Sequence, residues 1–299
     1  MTVFPKKVRI VEVGPRDGLQ NQPRIVRTAA KADFIRLLAA SGLEDIEVAS
    51  FVRPDRVPQL ADAEEILAAL DGDLPARLSA LVPNMKGLER AIGTGIPRIA
   101  VLTAASETFN RKNIDMGVRE SLDQMGPLVA RALREGMSVR GYVSTGWVCP
   151  FEGTIDPDAV VRIVGELFEL GVDEVSVGDT IGAATPWQVE VTLERLLERF
   201  PPENLAMHFH DTYGMAVANA YQALRMGFRT FDSSAGGLGG CPYAPGAMGN
   251  VATEDLLYLF DRLGIETGVR LAGIRRASEH IASVLGRKLP SRVLATPSN

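Results

Sequence analysis

Cysteine is scarce in this 299-residue chain: there are two, Cys149 and Cys241, far apart in sequence. Two distant thiols cannot build a disulfide framework, so a reducing compartment is the default expectation. No apolar run is long enough to span a bilayer. The stretch before the first strand, residues 1–7, is too short for a leader peptide, and the last residues match no sorting address, so a cytoplasmic location is expected. The net charge of -5 gives no global reason to bind nucleic acid. No glycine-rich dinucleotide loop follows the first strand, which argues against a doubly wound nucleotide-binding sheet. Histidine is nearly as scarce, with three residues, and two of them are separated by a single residue, at His208 and His210.

Short apolar runs alternate with longer amphipathic stretches. Strands are expected at 8–13, 45–49, 77–82, 98–102, 138–144, 174–177, 205–210 and 230–233. Helices are expected at 28–40, 61–70, 86–92, 119–135, 157–170, 186–199, 215–226 and 254–263. Gly42, Gly95, Gly136, Gly171 and Gly227 each stand between a helix and the next strand, where helices stop. Eight evenly spaced strand–helix units with no break in composition predict an α/β fold, a (β/α)8 TIM barrel in one catalytic domain spanning 1–299. The barrel is expected over about 8–264. An extra helix at 271–285 is expected in a C-terminal extension over about 270–290, packed across the barrel or in an oligomer contact.

Barrel active sites lie at the C-terminal ends of the strands, and the unusual polar residues fall at those ends. Arg16, Asp17, Gln20 and Asn21 follow the first strand; Glu47 lies within the second; Asn84 follows the third. Ser106 to Asn113 follow the fourth, Asp179 and Thr180 the sixth, and His208 and His210 close the seventh. On a strand, residues two apart share a face, so both imidazoles point one way and can grip one metal ion. Imidazole with oxygen partners suits a divalent transition metal or, with more carboxylate and water, magnesium or manganese. The plainer alternative is a pair of satisfied core histidines.

Other residues have plain alternatives too. Asp17 between Pro15 and Gly18 suits a turn, and Asp179 suits a turn or a helix start. Glu47 on an apolar strand needs a partner, and Arg16 is the expected one, its guanidinium fixed by the carboxylate. His280, inside the C-terminal helix, reads as structural. The loop at 236–250 is too rich in glycine and proline to be a packed element and reads as a lid or binding loop. It carries Cys241, expected to be a reactive thiol, whereas Cys149 fits an inert buried one.

The run from Val11 through Arg16 and Asp17 to Asn21 resembles the opening motif of the hydroxymethylglutaryl-CoA lyase family. Similar matches occur at Ser50-Phe51-Val52, Pro83-Asn84-Met85-Lys86-Gly87, Ala104-Ala105-Ser106-Glu107, Arg140-Gly141-Tyr142-Val143-Ser144 and Gly178-Asp179-Thr180-Ile181-Gly182. Others run through 208–214 and 237–255. The Arg-Asp and His-x-His pairs alone also occur in related synthases and aldolases. The residues Thr145-Gly146-Trp147-Val148 depart from that family's pattern, which bears on substrate preference.

The resemblance implies a metal-dependent barrel that cleaves 3-hydroxy-3-methylglutaryl-CoA to acetyl-CoA and acetoacetate, a step of leucine degradation and ketone-body formation. Asp17, His208, His210 and Asn250 match its metal positions, with Mg2+ or Mn2+ expected. Arg16 matches the residue at the substrate carbonyl and Cys241 the catalytic thiol. Glu47, Asp179 and Glu254 match supporting acids. His208 or Asp17 is the expected base. Gln20, Asn84 and Ser106, with Arg16, are expected to contact substrate. An acyl-CoA is the expected partner, with a homodimer or larger homo-oligomer and no nucleic acid or membrane. The rivals are a lyase for another hydroxyacyl-CoA, a Claisen-type synthase such as isopropylmalate or homocitrate synthase, and a non-catalytic acyl-CoA binder.

Overall fold

A computed structural model describes residues 4–70, 74–240 and 249–297. The elements run β1 (Arg9–Glu12), α1 (Thr28–Ala39), β2 (Asp45–Ser50), α2 (Ala63–Ala69), β3 (Arg77–Leu81), α3 (Met85–Ile92), β4 (Arg98–Ala104), α4 (Glu107–Ile114) and α5 (Val118–Arg134). Then come β5 (Ser138–Ser144), the short pair β6 (Val148–Cys149) and β7 (Gly153–Thr154), α6 (Pro157–Glu169), β8 (Glu174–Asp179), α7 (Pro186–Leu197), β9 (Leu205–Phe209), α8 (Ala216–Arg225), β10 (Thr230–Ser233), α9 (Thr253–Arg262) and α10 (Leu271–Leu285). Eight parallel strands close in the order β1-β10-β9-β8-β5-β4-β3-β2. This is the expected (β/α)8 barrel, and α10 is the expected extra helix.

The two-residue period of the strands sorts side chains between two environments. On β9, Leu205, Met207 and Phe209 face the helices and join the main core, and His208 faces the barrel axis. On β5, Val139 and Val143 face out while Arg140 and Tyr142 face in. The apolar layer between strands and helices supplies the burial that stabilises the fold, about 1.5–3 kcal/mol for each large aliphatic or aromatic side chain. α10 packs on α1 and α9, burying Ile274, Ala277 and Ile281.

The barrel interior is largely polar. Its apolar part is a small cluster of Leu81, Ala100, Leu102 and Tyr142. At the N-terminal mouth, Arg9, Asp45, Arg77, Arg98 and Glu174 each begin a strand and form interlocking ion pairs. A cavity of about 540 Å³ opens at that end, opposite the rim where barrel chemistry is done.

Two features were not expected. The segment after β4 forms α4, which buries only Phe109 and Asn110 and so carries little apolar periodicity. The segment after β5 forms the β6–β7 hairpin, whose two-residue strands are too short to show alternation. Thr145, between β5 and that hairpin, has φ of 54°, the left-handed region that non-glycine residues rarely occupy. Its amide donates to Thr180 Oγ1 at 2.8 Å, and its hydroxyl donates to the Ser144 carbonyl at 2.7 Å. These bonds offset the backbone cost.

Candidate active site

The chain after β1 makes one tight helical turn, Gly14–Gly18, that turns Arg16 and Asp17 over the C-terminal mouth of the barrel. Arg16 is buried. Its Nε donates to Glu47 Oε1, and its Nη1 donates to Asp17 Oδ1 at 2.7 Å. Glu47 reaches this position from β2, where the pairing with β3 shifts register between Glu47 and Ala49. The expected Arg16–Glu47 pairing is therefore present. Glu47 Oε2 also accepts from the Tyr142 hydroxyl at 2.9 Å. The Arg16 guanidinium lies 5.5 Å from the centre of the Tyr142 ring. Burial alone would weaken the guanidinium's hold on its proton; Glu47 and Asp17 outweigh it and keep Arg16 charged.

Asp17, His208 and His210 offer ligand atoms that all lie within 4.8 Å of one another. The two imidazole rings are 5.2 Å apart. His210 Nε2 is 3.9 Å from Asp17 Oδ2. Asn250 arrives from the far end of the barrel sequence and donates from Nδ2 to Asp17 Oδ2 at 2.8 Å. Backbone pairing fixes it there: Asn250 bridges His210, and the Val251 amide donates to the Phe209 carbonyl. The four residues expected to hold a metal are thus together.

Their chemistry fits a divalent cation. Burial would raise the Asp17 carboxyl, but Arg16, then His208 and His210, pull it down to about 2. Burial, reinforced by His208, lowers His210 to about 4, so its ring is neutral near pH 7. Neutral imidazole and ionised carboxylate are the forms that ligate. His210 turns Nε2 toward Asp17, the nitrogen placed to ligate, and its Nδ1 is buried without a hydrogen-bond partner among the described residues.

Most of the other expected residues make local hydrogen bonds at or near the rim. Asp179 is buried, and its two carboxylate oxygens accept from the Ala183 and Ala184 amides at 3.1 and 3.0 Å. It shapes the loop after β8. Burial raises its carboxyl to about 6 although these amides oppose the shift. Asn84 is exposed, and its side chain caps α3 by accepting from the Gly87 amide at 3.0 Å. Ser106 is buried and caps α4, accepting from the Phe109 amide at 3.0 Å and from Cys149 Sγ. Gln20 is half-buried just beyond the Gly14–Gly18 turn, with no hydrogen bond to the other site residues among those described. Glu254 accepts from the Gly236 amide at 2.8 Å and from Ser278, bracing the loop after β10. Cys149 is buried, and His280 Nε2 lies 3.3 Å from the Ala30 carbonyl, both as expected of structural residues.

Cys241 lies outside the described residues, which stop at Gly240 and resume at Gly249. Those flanks meet at the rim. Gly239 and Gly249 are so close that a Cβ on Gly249 would fall 2.6 Å from the Gly239 backbone. Asn21 Nδ2 donates to the Gly240 carbonyl at 3.0 Å.

Sequence reading gives no role to three neighbours of the site, Asp232, Arg140 and Glu12, although the last two lie in the motifs that carry the resemblance. Asp232 lies 3.2 Å from His208 Nδ1 and forms a two-pronged ion pair with Arg140. Glu12 accepts from the Gly14 and Ala235 amides at 2.8 and 2.9 Å, tying the loops after β1 and β10 together. The signal that singled out Glu47, a carboxylate within an apolar strand, is present at Asp232 and Glu12 as well.

The HMGL-like family model matches residues 7–281. The chain belongs to the HMGL-like family. A hydroxymethylglutaryl-CoA lyase of Bacillus subtilis is 48% identical over 97% of each chain. An HMG-CoA lyase structure from that species superposes with a TM-score of 0.95, covering 97% of this chain and 98% of that one. A Pseudomonas aeruginosa 3-hydroxy-3-isohexenylglutaryl-CoA/hydroxymethylglutaryl-CoA lyase is 46% identical over 97% of this chain and 96% of that protein. An Acinetobacter baumannii HMG-CoA lyase, solved with coenzyme A and 3-methylmalate, is 36% identical with a TM-score of 0.92, covering 98% of this chain and 95% of that one. Within this HMGL-like chain, the rim that carries Arg16, Asp17, His208, His210 and Asn250 is the candidate active site.

Proposed function

We propose that this chain cleaves 3-hydroxy-3-methylglutaryl-CoA to acetyl-CoA and acetoacetate by a retro-Claisen reaction. The observation that carries the reading is the convergence of Asp17, His208 and His210 beside the buried Arg16, within 4.8 Å of one another. The near full-length match to HMG-CoA lyases supports the choice of substrate.

Asp17, His208, His210 and Asn250 would hold the divalent cation, Mg2+ or Mn2+, given two oxygen donors among four. Such an ion, when bound, lowers the pKa of a hydroxyl oxygen. Asp17, whose carboxylate has a second oxygen, takes the proton of the tertiary alcohol, because the lone pair of His208 is committed to the ion. The bond between the carbinol carbon and the thioester α-carbon breaks, the carbinol becomes the ketone of acetoacetate, and the electron pair passes to the thioester enolate. Arg16 faces that oxygen and stabilises charge as it develops. Glu47 and Tyr142 keep Arg16 aimed. By the family resemblance, Cys241 donates the proton to the enolate carbon. A longer branch at the same carbinol carbon is a second reading, favoured by the two acyl groups in the name of the P. aeruginosa relative. Incubation with 3-hydroxy-3-methylglutaryl-CoA and Mg2+, followed by assay of acetoacetate, tests the proposal.

A further inference from the structure

We infer that Asp232 is a positioning residue for the metal site: it accepts the Nδ1 proton of His208 and so presents Nε2 of that ring to the cation. The inference rests on the metal reading above. It starts from the interior of the barrel. Asp232 is on β10 and has no exposed side-chain surface. Its Oδ1 accepts from Arg140 Nη2 at 2.6 Å. Its Oδ2 accepts from Arg140 Nη1 at 3.1 Å and from Ser176 Oγ at 2.8 Å. The fork fixes the plane of the carboxylate.

His208 Nδ1 sits 3.2 Å from the same Oδ2. A carboxylate paired with a guanidinium in this way is ionised, and an ionised carboxylate only accepts. In the neutral ring the proton therefore lies on Nδ1, which leaves Nε2 as the lone-pair nitrogen. Arg140 is itself anchored, its Nε donating to Glu174 Oε1 at 2.7 Å and its Nη1 to the Tyr142 hydroxyl at 3.0 Å. A chain of charge-assisted bonds thus runs from the N-terminal mouth, at Glu174, to the back of His208. Ligating histidines commonly have such an acceptor behind them, and it sets both tautomer and ring orientation.

The two imidazoles are unequal in this respect. His210 has no carboxylate or carbonyl on Nδ1 among the described residues. His208 is the ring held in advance, and His210 is the one that can adjust when the ion enters. A buried Arg140–Asp232 pair that served stability alone would not need its second oxygen aimed at a ligand ring, and such pairs are weak sources of stability in any case.

The chain's three histidines make the test direct. Long-range proton–nitrogen NMR on the Mg2+-saturated protein, with a His208→Gln variant for assignment, reads the tautomer of each ring. The expected result is His208 protonated at Nδ1; a bare Nδ1 with the proton on Nε2 overturns the inference. In Asp232→Asn, the Mn2+ affinity, measured without substrate from the EPR signal of free Mn2+, is expected to fall about 10- to 100-fold. An unchanged affinity in a folded variant overturns it. If Asp232→Asn fails to fold because Arg140 loses its counter-charge, the wild-type spectrum decides alone. Neither measurement depends on turnover, so absence of lyase activity would sink the proposed reaction and leave this inference standing. A wild-type chain that binds neither ion would sink both.

Discussion

Asn250 Nδ2 donates to Asp17 Oδ2 at 2.8 Å, joining residues 233 positions apart. Asp17 sits in the turn after β1 and Asn250 just before α9, so the bond forms only when the barrel has closed between β1 and β10. The unfolded chain has no such site. Binding of a cation must therefore stabilise the fold, by about 2.7 kcal/mol at a free concentration one hundred times Kd. Thermal unfolding of the wild type is expected to shift upward with Mn2+, and that of Asp17→Asn to shift far less. Equal shifts would mean that the ion binds elsewhere.

Arg16 is held by Glu47, Asp17 and the Tyr142 ring, and its contribution is expected in the chemical step. Arg16→Met should lower kcat by roughly a hundredfold or more, the scale for removing one donor to a developing oxyanion. Glu47→Gln keeps the shape but loses the ion pair, so it should reduce kcat by less and leave KM nearly unchanged. A rise in KM with kcat intact in either variant would make Arg16 a binding anchor.

The barrel was legible because its strands and helices have different periods and glycines punctuate them. The strands at 138–144 and 230–233 and the helix at 271–285 occur as read. α4 and the β6–β7 hairpin were missed because neither presents an apolar stripe long enough to count. The group of Asp17, His208 and His210 was legible because the two histidines share one strand face and Asp17 follows a strand end, whereas Asn250, well past β10, came only from the family resemblance. Roles were harder to read. Asn84 and Asp179 stand at strand ends as read and also satisfy backbone amides nearby, local bonds that strand position alone does not disclose. Asp232 was missed because its importance lies in its distance to His208, which comes from the neighbouring strand β9.

Glu12 gives the account a pH signature. Burial raises its carboxyl from 4.5 to about 8, against opposing hydrogen bonds from Thr253, Ala235 and Gly14. Below about pH 4.5 the group is protonated both folded and unfolded. Between there and about pH 8 the unfolded chain ionises while the folded one keeps its proton, so this group's effect on stability worsens as pH rises. Above about 8 the loss levels off. Denaturant unfolding at pH 5, 7 and 8.5 is expected to show Glu12→Gln gaining on the wild type with rising pH. Parallel profiles would show that Glu12 is ionised throughout.

Cys241→Ser is expected to cripple turnover while leaving Mn2+ affinity nearly intact, because the thiol is assigned to the enolate and not to the ion. Cys149→Ser should have a mild effect, since that sulfur is buried against Ser106. Near-normal turnover in Cys241→Ser would assign the proton to another group.

The central claim is metal-dependent carbon–carbon cleavage at the rim that carries Asp17, His208 and His210. Its most direct test is to strip the protein of metal, add 3-hydroxy-3-methylglutaryl-CoA, restore Mg2+ or Mn2+, and measure both products. The account predicts acetyl-CoA and acetoacetate in equal amounts, formed with the ion and not without it, and lost in Asp17→Asn. Full activity in the stripped protein, or no cleavage with either ion, would contradict it.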